Sequence, residues 1–295
     1  MKLKGTKLHS FKKDFSRYLQ KRYLLFLLRT IMKTKLLVFA LSISAITLHA
    51  QTEEDATNKE LAKKAQNPIA NMISVPIQNN TSYGIGDDDR TANVLNIQPV
   101  IPIGLGKKWN LITRTIIPIV TVPDFTATEK SSITGLSDIT LSLFFAPKES
   151  KLIWGVGPIV QLPTTTNDAV GPNEFGLGPS IIVVNMKGKW VYGATMNNVW
   201  SVGNDNINQF YLQYFVNYNL PKSWYLSSAP IITANWKADA GSRWVVPFGG
   251  TVGKIFRIGK LPINAQIGGF YVAVKPDGGA NWQTRAQIQF LFPKK

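Results

Sequence analysis

The closing stretch Trp282–Phe292, WQTRAQIQFLF, limits the possible folds more than any other part of the chain. Trp282, Thr284, Ala286, Ile288, Phe290 and Phe292 fall on one mostly apolar face, and Gln283, Arg285, Gln287, Gln289 and Leu291 fall on the other. A period of two places alternate residues on opposite faces of a β-strand. An aromatic closes each end of the apolar face. At about 3.3 Å per residue and a tilt of about 40°, their separation covers roughly 25 Å along a membrane normal, the height of a barrel's apolar band. The edge of a soluble sandwich would alternate in the same way, so the decision rests on recurrence.

The pattern recurs from Pro68 onward. Strand-like runs are expected at about 70–82, 92–103, 109–121, 136–146, 152–163, 175–186, 190–200, 207–219, 224–236, 243–256, 262–274 and 282–292. The connections between them alternate strictly. Short, lysine-bearing turns (Gly104–Lys108, Pro147–Lys151, Lys187–Lys189, Pro221–Ser223, Arg257–Leu261) take turns with longer loops rich in Asp, Asn, Thr and Gly. Short turns at one end, long loops at the other and about twelve strands predict an all-β fold, a transmembrane antiparallel up-and-down β-barrel. A sandwich gives no reason for that alternation.

Tryptophan placement agrees. Trp109, Trp190 and Trp224 open strands after short turns, whereas Trp200, Trp236, Trp244 and Trp282 sit beside long loops. Amphipathic indoles favour the boundary between hydrocarbon and water, so these residues are expected to form two interface girdles. Trp154 alone is offset from a rim in this reading.

The net charge of +16 suggests nucleic acid until it is located. Residues 1–50 hold eleven Lys/Arg and one acid, Asp14, so most of the excess belongs to the first fifty residues and nucleic acid is not an expected partner. The chain has no cysteine, and its two histidines, His9 and His49, lie in that same segment. Thiol nucleophiles, thiolate metal sites and Ser-His chemistry therefore have no residues in the strand region. No enzyme activity, cofactor or metal site is expected.

Met32-Lys33-Thr34-Lys35, the apolar run Leu36–Leu48 and then His49-Ala50-Gln51 have the layout of a secretory signal peptide cut after Ala50. Residues 1–31 are expected to be a mis-assigned start, with translation from Met32, or else a basic extension. A membrane anchor over 23–48 is the competing reading, which Arg29, Lys33 and Lys35 interrupt. Residues 51–68 are expected to be a polar periplasmic arm with a short helix ended by Pro68, solvated and not plugging the barrel. Residues 69–295 form the barrel.

The face opposite the lipid is expected to line a lumen. Its candidates are Arg114, Asp138, Gln161, Gln266 and Arg285, accompanied by Asn96, Gln98, Gln213 and Asn264 and interleaved with Ile112, Ile116 and Ile159. The charged three could pair in a structural network or form a constriction that selects solutes. Prolines at 99, 102, 118, 158, 179, 230 and 247 fall inside expected strands, where each removes a ladder donor, so bulges or breaks are expected. Those in the second, third and fifth strands suggest a lateral gap through which a greasy solute leaves for the bilayer. Asp87-Asp88-Asp89 lacks any calcium-loop spacing and is expected to be a solvated loop.

Three stretches carry a resemblance: Asn67–Asn80 (NPIANMISVPIQNN), Pro247–Phe256 (PFGGTVGKIF) and the closing WQTRAQIQFLFPKK. The chain resembles the outer-membrane barrels grouped with the MetA-pathway-of-phenol-degradation proteins. The resemblance implies a bacterial outer-membrane protein, embedded in lipid, with a transport-like role for a small solute, a hydrophobic or aromatic one among the expectations. It also implies recognition of the C-terminal strand by barrel-assembly machinery, through Phe292. A barrel with a closed lumen and a structural or surface-interaction role is the alternative.

Overall fold

The computed structural model describes residues 61, 63 and 65–292, apart from 128, 204 and 205. The expectations for residues 1–60, most of the expected arm included, lie outside these, as does the tail after Phe292. The alternating stretches form fifteen strands of one antiparallel sheet: β1 (Ile73–Ile85), β2 (Arg90–Ile97), β3 (Val100–Leu105), β4 (Trp109–Asp124), β5 (Ser131–Leu136), β6 (Ile139–Pro147), β7 (Ile153–Leu162), β8 (Gly176–Lys187), β9 (Trp190–Ser201), β10 (Asn208–Asn219), β11 (Trp224–Ser228), β12 (Ile231–Asn235), β13 (Trp244–Ile258), β14 (Leu261–Val274) and β15 (Trp282–Phe292). Three pairs, β2 with β3, β5 with β6 and β11 with β12, are halves of interrupted staves. The result is a closed barrel of 12 strands.

Each stave pairs with its chain neighbours, and β15 returns to β1 along an unbroken register from Ile73↔Phe292 to Tyr83↔Trp282. Closure removes the free edges that would otherwise leave backbone groups unsatisfied in hydrocarbon. Two strand starts differ from expectation by three residues or more. β1 begins at Ile73 because residues 67–72 are used in a turn, with the Ala70 amide donating to the Asn67 carbonyl at 3.1 Å and the Ile69 amide to Asn67 Oδ1 at 3.1 Å. The fourth stave begins at Ser131, since the polar run Ser131–Gly135 pairs with Val120–Asp124. That hairpin stands above the apolar band, where a strand needs no greasy face and leaves no hydrophobic alternation to read.

The prolines act in two ways. Pro99 and Pro230 occupy stave breaks, and Pro247 sits at a register shift. Pro118 and Pro158 stay within strands. The expected lateral gap is not formed. At Pro99 the wall is held by the Gln98 amide donating to the Pro76 carbonyl at 2.8 Å and the Thr115 amide donating to the Pro99 carbonyl at 3.0 Å. Pro118 lies opposite Asn96 in a continuous ladder. Beside Pro158 the backbones approach so closely that a Cβ on Gly157 would collide with the Leu143 carbonyl. A missing donor is thus offset by close packing, which only glycine permits. Pro118→Val and Pro158→Val are accordingly expected to leave solute uptake by intact cells unchanged, and a fall in uptake with normal assembly would restore the lateral route.

All eight tryptophans face outward. Trp154 is not offset after all: its ring meets Trp109 edge-on at 6.0 Å and completes the short-turn girdle with Trp190 and Trp224. At the long-loop end Trp236 and Trp244 stack edge-on at 5.4 Å over the buried Ala234, and Trp282 packs on Tyr271 at 5.3 Å. The Lys254 ammonium stands 5.0 Å over the Trp224 ring. This lets a cation at the rim turn from hydrocarbon to water while keeping an aromatic partner. Outward polar groups satisfy each other, as Asn79 and Asn93 exchange amide hydrogen bonds at 3.0 and 2.9 Å.

The lumen is filled unevenly. One side is an apolar core in which Ile112, Phe144, Ile182, Val184 and Val191 are almost wholly buried, with Ile69 packed onto them. The other side is polar. Here the described end of the expected arm departs from a solvated one. Leu61, Lys63 and Ala65 are helical, but Leu61 and Gln66 are buried and not solvated. Leu61 and Met72 pack with Tyr225, Ile255 and Leu291, all inward residues of β11, β13 and β15. Gln66 and Asn219 exchange amide hydrogen bonds at 3.0 and 3.2 Å. Leu61 and Ile69 supply apolar contact that the arm's many charges conceal from a composition argument.

Candidate functional site in the barrel lumen

Staves β1, β10, β14 and β15 and the β2–β3 break bring a set of amides to one cavity of about 140 Å³, floored by Ala65–Pro68 of the arm. Gln78, Gln98, Gln213, Gln266, Gln287 and Gln289 line it, together with Arg114 and Arg285. The alternation that turns Ile288 and Phe290 to lipid turns Gln287 and Gln289 inward. Sequence parity names such positions as candidates but says nothing of their clustering. Polar and apolar inward residues are not interleaved around the lumen but segregated.

Arg114, Gln266 and Arg285 meet at this cavity, whereas Asp138 and Gln161 do not. Asp138 sits at the β5–β6 break and is fully engaged. Its carboxylate accepts from the Thr164 amide at 3.2 Å, the Thr165 amide at 3.1 Å and hydroxyl at 2.6 Å, the Gln161 side chain at 2.9 Å and the Glu174 amide at 3.2 Å. It stitches the long loop after β7 into the interrupted stave, as a structural post. The three charged candidates therefore do not pair with one another.

Arg285 is 97% removed from solvent, its relative exposure being 3%. Its Nε donates to Asn80 Oδ1 at 2.8 Å and Nη1 to the Ala229 carbonyl at 2.7 Å, freed by the β11–β12 break, while the guanidinium lies 4.7 Å over the Phe270 ring. Burying an unpaired charge is costly, and neutral acceptors with an aromatic face offset part of that cost. Arg114 Nη2 donates to Gln98 Oε1 at 2.9 Å. Tyr225, missed as a site residue because it reads as one more strand aromatic, donates to Asn264 Oδ1 at 2.7 Å, and Asn264 donates to Gln289 Oε1 at 2.9 Å.

At the long-loop end Asp88 pairs with Lys130 at 3.5 Å, both side chains well exposed. Among the described residues no group of acids converges as a metal site. Screened pairs of this kind contribute about 0–1 kcal/mol. Added calcium is expected to leave the heat-modification midpoint unchanged, and a rise abolished by Asp88→Asn would show a site.

The closed sheet, the two aromatic girdles and the apolar outer face define a bacterial outer-membrane β-barrel that contacts membrane lipid around its circumference. The family model described as Putative MetA-pathway of phenol degradation matches residues 77–242, and the chain belongs to that family. The crystal structure of an outer membrane channel from Pseudomonas putida F1 is similar to this barrel, with a TM-score of 0.57 at 16% identity over 75% of this chain and 96% of that one. The NanC porin aligns with a TM-score of 0.47 at 10% identity, over 75% of this chain and 100% of the porin. The outer membrane phospholipase A from Escherichia coli reaches 0.38 at 15% identity, over 75% and 96% of the two chains. At such identities the first likeness is one of fold. No curated protein matches the chain.

Proposed function

We propose that this barrel is an outer-membrane channel for a small solute, with a hydrophobic or aromatic body as the preferred class. The observation that carries the reading is the cavity of about 140 Å³, walled by uncharged amides and two arginines inside a membrane-spanning barrel. A barrel serving only as a scaffold has no need to keep such groups away from packing. An engineered apolar cavity of about 150 Å³ admits one benzene ring, which sets the scale of the solute. The fold shared with a channel and the family's description support the reading. The absence of His and Cys after residue 50 speaks against nucleophilic chemistry. Phe292, outward and paired with Ile73, is the proposed signal for barrel-assembly machinery.

The apolar core that fills one side of the lumen favours a second reading, a non-conducting barrel with a structural or surface-interaction role. Single-channel recording in planar bilayers separates the two. Discrete conductance steps from refolded, heat-modifiable protein support the channel, and a silent bilayer with folded protein supports the closed barrel.

A further inference from the structure

We infer that the lumen cavity is a binding site for a small organic anion, a carboxylate or phenolate on an aromatic body, received by Arg285 and Arg114. The inference rests on the channel reading for its physiological meaning and on the cavity alone for its chemistry.

The hydrogen-bonding capacity left over at Gln98, Gln289 and Gln266 is rich in donors, whereas Gln78 spends an amide N–H on Asn80 Oδ1 at 3.3 Å and keeps its oxygen. Gln98 spends its oxygen on Arg114, which turns its amide N–H groups free. Tyr225 is buried and donates to Asn264, Asn264 passes the polarity on to Gln289, and Gln289 thereby presents its own N–H groups. The Gln266 oxygen is engaged by the Thr251 hydroxyl at 3.1 Å. At these three glutamines an acceptor is engaged and a donor remains. Arg285 Nη2 makes no hydrogen bond to a described residue, while Nε and Nη1 are held in place. A buried guanidinium with one free edge is preorganised for an oxyanion.

Charge points the same way. Both arginines line the cavity, and no described carboxylate does. The inward carboxylate of Asp138 is committed to the loop after β7. A cavity of this kind holds two positive charges against neutral amides, one of them on the buried Arg285, and an anion there recovers more than it would at a surface. The Phe270 ring beneath Arg285 fixes the guanidinium plane. A planar anion can then meet that edge without reorganising it, and the volume fits one ring with one small substituent.

The test uses full-length folded barrel in detergent and three probes of similar shape: benzoate, benzamide and benzylamine. Benzoate is expected to raise the heat-modification midpoint and to block conductance in a concentration-dependent way, with benzamide weaker by tenfold or more and benzylamine inert. Arg285→Gln should weaken benzoate at least tenfold, and Arg114→Gln several-fold. If Arg285→Gln does not assemble, Arg114→Gln and the three-probe comparison on the native chain decide. Equal effects of benzoate and benzamide, or preference for benzylamine, overturn the site. A barrel that conducts without discriminating the probes keeps the channel and loses the anion site. A barrel that is stabilised by benzoate but never conducts keeps the site and loses the channel.

Discussion

Unseating the arm with Leu61→Ala and Gln66→Ala together is expected to raise single-channel conductance several-fold. Leu61 is buried against Met72, Tyr225, Ile255 and Leu291, and Gln66 is held to Asn219 by two amide hydrogen bonds. Truncating a packed leucine costs about 2–5 kcal/mol, and each amide bond contributes about 1 kcal/mol. Even about 3 kcal/mol shifts the balance between seated and unseated arm roughly a hundredfold, at 1.4 kcal/mol per tenfold. The chain has no cysteine, so Ala65→Cys introduces a single thiol whose maleimide labelling reports the arm's position independently of current. Faster labelling with higher conductance is the expected pair of results. Faster labelling with unchanged conductance would place the barrier in the apolar core around Phe144 and Ile182 instead.

That arm is the clearest case of something the sequence concealed. Its charges predict solvation, and the four apolar contacts that seat it are too few to form a pattern. Their partners, Tyr225 and Ile255, lie far along the chain, on strands whose inward face is only known once the barrel closes. By contrast, the wall was legible. A period of two must be obeyed wherever one face meets hydrocarbon, because a slip of one residue exposes every polar side chain on that strand. Hence parity alone names Arg114, Asp138, Gln161, Gln266 and Arg285 as inward candidates. Ser131–Gly135 escaped because hydrocarbon imposes nothing on a hairpin standing above it.

The stretches that carry the family resemblance have a physical reason to stand together. Ser74–Asn80, within the first, pairs residue for residue with Arg285–Leu291, within the last, so two of the three stretches form the closing seam of the barrel. The third, Pro247–Phe256, supplies Gly253 and Ile255 beneath Tyr225. What the sequence did not show is which lumen residues cooperate. Asp138 and Arg285 have equal claims as isolated inward charges, yet one is saturated by a loop's amides and the other keeps a free edge on a cavity. That difference is set by stave breaks at Ser137–Asp138 and Ala229–Pro230, of which only the second has a proline to announce it.

Gly253→Val is expected to block assembly, with Gly253→Ala as the quantifiable form. Gly253 and Tyr225 are cross-strand partners on β13 and β11, and the tyrosine ring lies over the glycine so closely that a Cβ there would fall within the ring's own atoms. A glycine in a barrel wall loses side-chain packing, and a neighbouring aromatic laid across it restores that contact. The ring cannot shift freely, since its hydroxyl is tied to Asn264 and its faces to Leu61, Met72 and Leu291. Overpacking by one methyl in such a site costs about 1–3 kcal/mol. The coupling is separable by a double-mutant cycle on the heat-modification equilibrium. Gly253→Ala alone should destabilise markedly, whereas Gly253→Ala in a Tyr225→Ala background should be close to neutral. Tyr225→Phe isolates the hydroxyl: it should leave the Gly253 coupling intact and weaken only the Asn264–Gln289 relay. If Gly253→Ala is equally costly with and without the ring, the glycine is required by backbone geometry and not by Tyr225.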